Sequence, residues 1–87
     1  MAKYDILIKA SAAKEIERIP TRKDRKRVIE SIGSLADDPR LRGCQKLSGR
    51  GRYRVRQGVY LILYSVHDDR LVVHVIKVCH RKSVHRK

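Results

Sequence analysis

Eighty-seven residues leave room for one domain around one hydrophobic core. With 41% hydrophobic residues gathered in periodic runs, the chain is expected to fold, so global disorder is excluded. The charge is lopsided: 22 Lys and Arg against 9 Asp and Glu give a net +13, which predicts a polyanionic partner.

The opening Tyr4 to Lys9 is short and rich in β-branched and aromatic residues, and predicts a first strand. Ser11 follows as an N-cap candidate, with Ala12, Ile16 and Ile19 at helical spacing until Pro20 stops the helix. A second helix is predicted from Lys23 to Ala36, where Val28, Ile29, Ile32 and Leu35 gather on one face before Asp37-Asp38-Pro39 ends it. The two helices run antiparallel, joined at Pro20-Thr21, and Arg22, Lys23, Arg25, Lys26 and Arg27 make a charge run at the joint.

Arg40 to Gly51 reads as a basic loop, with Gly43, Gly49 and Gly51 interleaved among Arg42, Lys46 and Arg50. Arg52-Tyr53-Arg54-Val55-Arg56 then alternates strictly, so a strand places Tyr53 and Val55 on one face and three arginines on the other. Gln57-Gly58 supplies a turn. Val59 to Val66 is a nearly continuous apolar run, as a central strand covered on both faces requires, with Tyr60 and Tyr64 on one side. His67 to Arg70 has turn composition and Leu71 to Cys79 is a further strand, completing an antiparallel meander. The tail from His80 to Lys87 is basic, with at most one helical turn. The resulting order, β-α-α-β-β-β, predicts an α+β domain over residues 1–87, with two helices across one face of a twisted antiparallel sheet.

No apolar run approaches the roughly 18–20 residues that span a bilayer, so no membrane partner is expected and the expected setting is the cytoplasm. Cys44 and Cys79 stand far apart without CxxC spacing, so neither a disulfide framework nor a zinc site is indicated, and no metal or other cofactor is expected. Four tyrosines are the only large aromatics, too few for base-stacking platforms.

Three stretches resemble one known family, the RelE/ParE superfamily of bacterial toxin–antitoxin systems. Lys46-Leu47-Ser48-Gly49 resembles its KLxG loop, Tyr53 to Tyr64 its YRIRxGxYRxxY hairpin, and Val75 to Arg86 its closing VxxVgHRxxVYR segment. The resemblance implies a RelE-like fold and a toxin that cuts messenger RNA on the ribosome without a metal. It also implies a hetero-oligomer with an acidic, RelB-like antitoxin.

Carried over by position, Arg54, Arg56, Arg81 and His85 are the implied catalytic residues. Lys46, Arg50, Arg52, Lys77, His80, Lys82 and Arg86 are the implied RNA-binding residues. The chemistry fits these types: arginine's planar fork holds phosphate and stays charged, while imidazole suits proton transfer. His67, in a turn, and His74, inside a strand, are read as structural. Two positions depart from the family pattern, since Leu61 stands where an arginine is usual and His85 where a tyrosine is usual. Two alternatives follow: a ParE-like inhibitor of DNA gyrase, or a weakened relative that binds antitoxin and ribosome without cutting efficiently.

Overall fold

A computed structural model describes residues 3–40, 43–47 and 51–84. Strand β1 spans Asp5–Ile8 and leads through Lys9 into helix α1, Ala10–Glu17. The helix thus begins one residue before Ser11, and no side chain caps it. After Pro20, helix α2 runs Arg22–Ser34, likewise without a side-chain cap. Its inner face carries Val28 and Ile32, followed by Leu35 just past the helix end; Ile29 was grouped with them by spacing but is 52% exposed. One step on a helix turns about 100°, which carries Ile29 off the stripe that Val28 shares with Ile32.

The remaining elements are β2 (Gln45–Lys46), β3 (Arg52–Gln57), β4 (Tyr60–His67), β5 (Val72–His80) and a final turn of helix, α3 (Arg81–Val84). They form a sheet in the order β1-β5-β4-β3-β2. The α+β class and the run of elements agree with the sequence, and two particulars are added. Gln45 and Lys46, inside the expected loop, pair with Arg54 and Tyr53 as a short edge strand. The other addition is at the opposite edge, where β1 lies parallel to β5 while every other pairing is antiparallel.

The core lies between the helices and one face of the sheet. Ala12, Ile16, Ile19, Val28, Ile32 and Leu35 meet Tyr53, Val55, Ile62, Tyr64, Val66, Val73, Val75 and Val78. The period of two on β3 therefore sends the arginines to the other side. Tyr64 is completely buried, and its hydroxyl donates to the Pro39 carbonyl at 2.7 Å, fastening the start of the basic loop to the central strand. The Tyr53 ring stacks on it, with centroids 5.9 Å apart.

Two backbone details set the shape of the hairpins. Gly58 turns β3 into β4 at φ +62°. Gly51, at φ +58°, brings its backbone so close to β4 that a Cβ would stand 2.9 Å from the Val66 carbonyl oxygen. Glycine is the residue that tolerates both demands.

Candidate nucleic-acid interface

The helix-free face of the sheet is built in cross-strand rungs. Arg52 pairs with Ser65, which pairs with His74; Arg54 pairs with Leu63, which pairs with Lys77; Arg56 pairs with Leu61, which pairs with Cys79. Neighbouring strands lie about 4.8 Å apart and alternate residues on a strand about 7 Å apart, so Arg54, Arg56 and Lys77 share one patch. The three arginines of β3 are thus collected on one side by nothing more than strand alternation.

Lys77 joins them through a bulge. Leu63 faces Lys77 but Tyr64 faces Val75, leaving Ile76 as an extra residue on β5. Such an insertion reverses the alternation beyond it, so Val78 enters the core and Lys77 falls in the Arg54 rung.

The cations of this face are not equivalent. Arg54 donates from Nε and Nη2 to Gln45 Oε1, at 3.0 and 2.6 Å, so β2 holds its guanidinium in place. The Lys77 ammonium reaches Glu15 at 3.0 Å, and this hydrogen bond raises its pKa above the usual lysine value. The same Glu15 accepts the Val78 backbone N–H at 2.8 Å, covering the edge of β5 beyond the end of β1. Among the described residues, no side-chain hydrogen bond or ion pair engages Arg52 or Arg56, and both are exposed. Of the four cations on this face, Arg54 and Lys77 are therefore anchored and Arg52 and Arg56 are open.

Between the cations runs an apolar stripe. Leu61 is only 7% exposed although it lies on this face, outside the main core cluster, and Leu63 is half-buried. Cys79 closes the Arg56 rung. Burial pushes its thiol pKa up although Lys77 and Arg54 pull it down, so it stays protonated and is a poor nucleophile.

Other predicted positions fall elsewhere. Arg81 opens α3, where its backbone N–H donates to the Val59 carbonyl at 2.7 Å, and it is exposed at the same end of the sheet as Arg56. His80 pairs with Tyr60 on the helix side, with the two rings edge to face at 5.5 Å. Its Nδ1 accepts the Lys82 N–H at 3.2 Å, which caps the first turn of α3 and keeps the ring away from the arginine patch. Lys46 is exposed on the edge strand β2, and Lys82 is exposed on α3. Arg50, His85 and Arg86 lie outside the described residues.

Sequence reasoning missed Gln45 and Glu15, which position Arg54 and Lys77. A neutral side chain in a loop and an acid on a helix carry no distinguishing pattern. His67 and His74 differ from one another: His67 Nε2 lies 3.1 Å from Ser65 Oγ, while His74 shares the Arg52 rung. Among the described residues no group of three or more His, Cys, Asp or Glu side chains converges as metal ligands. No helix among them is long and apolar enough to cross a membrane.

This arrangement has relatives. Residues 6–85 match the family described as the ParE toxin of type II toxin–antitoxin systems. Toxin RelG of Mycobacterium tuberculosis is 27% identical over 86 residues, covering 97% of this chain and 98% of that relative. The structure is similar to the archaeal RelE–RelB complex of Pyrococcus horikoshii, with TM-score 0.82 and 28% identity over 100% of both chains. It is also similar to the RelBE2 toxin–antitoxin complex of Mycobacterium tuberculosis, with TM-score 0.75 and 28% identity over 91% of this chain and 99% of that one. With a family match running nearly from end to end, on a fold and an arginine-bearing hairpin of the expected kind, the chain belongs to the ParE toxin family of type II toxin–antitoxin systems, within the RelE/ParE superfamily.

Proposed function

We propose that the protein is a toxin that cleaves messenger RNA bound to the ribosome, in the cytoplasm, and that an acidic RelB-like antitoxin silences it in a hetero-oligomer. The observation that carries this reading is the helix-free face, where Arg54 and Arg56 project from β3 and Lys77 joins their patch from β5. Such a face can hold a ribose-phosphate and spread the negative charge that builds on the phosphoryl oxygens during attack.

In the proposed reaction the 2′-hydroxyl oxygen attacks the adjacent phosphorus, the P–O5′ bond breaks, and a 2′,3′-cyclic phosphate and a 5′-hydroxyl result. One proton leaves the 2′-hydroxyl and one is delivered to the departing 5′ oxygen. His85 is the proposed proton-transfer group, because an imidazole near pKa about 6.5 can serve in either direction at neutral pH. Arg54 and Arg56 are the proposed phosphate ligands, and Arg81 is the proposed donor toward the leaving group. Arg52, Lys77, Lys82, Arg86, Arg50 and Lys46 would extend the track for the RNA backbone, while His80, held by Tyr60 and α3, would act on the shape of the tail.

The test mixes the purified chain with ribosomes carrying a defined message and maps the RNA ends. A cyclic phosphate at one position in the decoding codon is expected, with the rate falling by roughly 10² or more in Arg56→Ala. Intact message in every such reaction would discard the nuclease reading.

A second reading, inhibition of DNA gyrase by protein contact, is favoured by two observations: the matched family is named for the ParE toxin, and an apolar Leu61 stands within the cationic patch. A supercoiling assay separates the two, since only this reading predicts loss of gyrase activity in the absence of ribosomes.

A further inference from the structure

We propose that Arg52, Ser65, His67 and His74 form a slot for one unpaired nucleobase, beside the arginines that take the phosphate. The proposal rests on the RNA reading above for its class of ligand and adds a site to it.

The slot follows from the order of side chains in one rung. Across the helix-free face run Leu7 on β1, His74 on β5, Ser65 on β4 and Arg52 on β3. Two long side chains with flat ends thus flank a small one. Ser65 is 8% exposed between them, and its Oγ lies 3.1 Å from Nε2 of His67, the next residue of β4 on this face. Arg52 is exposed and His74 half-buried, and among the described residues no side-chain hydrogen bond or ion pair engages either. Neighbouring strands stand about 4.8 Å apart, which separates Arg52 from His74 by roughly 9–10 Å across Ser65. Stacked bases lie about 3.4 Å apart, so a base held between two flat groups needs about 7 Å between them. A small inward lean of the imidazole and the guanidinium closes that difference, and both are surfaces on which splayed-out bases stack.

The chemistry of the rung favours a base over a phosphate. Arg52 is its one fixed cation, and the exposed Asp5 lies in the adjoining Asp5–Val72–His67 rung, where a phosphate would meet repulsion. The Ser65–His67 pair offers both a donor and an acceptor to the edge of a base. Tyr53 and Tyr64 turn into the core and Tyr60 meets His80 on the helix side, so among the strands described His67 and His74 are the aromatic rings left to this face. Arg52 and Arg54 are alternate residues of β3, about 7 Å apart, so a nucleotide whose base enters the slot brings its phosphate to the arginine patch.

The test titrates the full chain with 2′-O-methyl RNA pentanucleotides, which lack the attacking hydroxyl, in an intact form and in five forms that each miss one base. Removal of one particular base is expected to weaken binding to the unaltered protein by about 5-fold or more, the usual effect of losing one stacked base. His74→Ala should lose as much with the intact probe and nothing further with the probe lacking that base. His74→Phe, which keeps a flat ring, should restore the difference, and this separates lost stacking from misfolding. Arg52→Lys keeps the charge and loses the planar fork, so it should weaken binding of the intact probe while leaving the salt slope unchanged. An unchanged affinity in His74→Ala overturns the proposal, and if that variant also loses binding to a glutamate-rich helical peptide, the rung is assigned to an acidic protein instead. An equal loss with every probe overturns it too, because the ring would then act on the backbone or on the fold. Cleavage on programmed ribosomes is scored separately: the base effect without cleavage sustains the slot and removes the nuclease reading, and cleavage without the base effect does the reverse.

Discussion

At the scale of single residues, Leu61 is the most informative position. It fills the middle of the Arg56–Cys79 rung and is almost fully buried there, so an apolar side chain occupies the part of the patch where the family pattern has an arginine. Leu61→Arg is therefore expected to raise the single-turnover cleavage rate on programmed ribosomes by roughly 10²–10³, the effect of restoring one preorganised donor. An unchanged rate would show that Arg54 and Arg56 already meet the need. Asp68 governs a different property. Its carboxylate accepts two hydrogen bonds from Arg40, at 3.2 and 2.7 Å, and one from the Tyr4 hydroxyl at 2.6 Å. These hold its pKa at about 2, below the ordinary 3.8, with the Arg40 bond the larger cause. A depressed folded-state value means that the stabilisation is complete above the unfolded pKa and is lost as pH falls from about 4 towards 2. Thermal melts over that range should show a steeper loss in the unaltered protein than in Asp68→Asn.

At the scale of elements, the sheet edges and the bulge decide what the face presents. Glu15 on α1 caps the Val78 N–H and draws in Lys77, so Glu15→Ala is expected to lower stability by about 1–2 kcal/mol in urea titrations, leaving a strand donor without its partner. The limits of the sequence are clearest here. Tyr53 and Val55 alternate with three arginines, and that period alone placed the arginines on the face where they lie. On β5 the same rule would group Lys77 with Val73 and Val75, whereas the extra Ile76 turns Lys77 to the opposite face. A bulge is set by the fit between strands, so the residues of one strand do not announce it. The pairing of Gln45 and Lys46 was hidden for a related reason, because two residues carry no periodicity. The start of α1 differed too, as Ser11 was the expected cap and the helix opens at Ala10 without one. The tyrosines were legible: Tyr60 and Tyr64 share the core face, and Tyr64 is buried against it.

At the scale of the whole molecule, the helices shield one side of the sheet and leave the other to the arginines, while a second group of cations looks outward from α2. A net +13 distributed in this way gives both sides of the molecule a positive potential. The binary pattern predicted the layers, and the spacing of Val28, Ile32 and Leu35 predicted which side of α2 turns inward. What it left open was how the strand at the beginning joins the rest. Asp5 to Ile8 lie beside Val72 to Val75, in a parallel pair made from opposite ends of the chain. Bringing such remote segments together is entropically demanding, and it places this step late in folding. During synthesis, β1 must wait until β5 has emerged. A product released before β5 is made has no partner strand for β1, so premature termination of this message yields a chain that cannot complete its sheet.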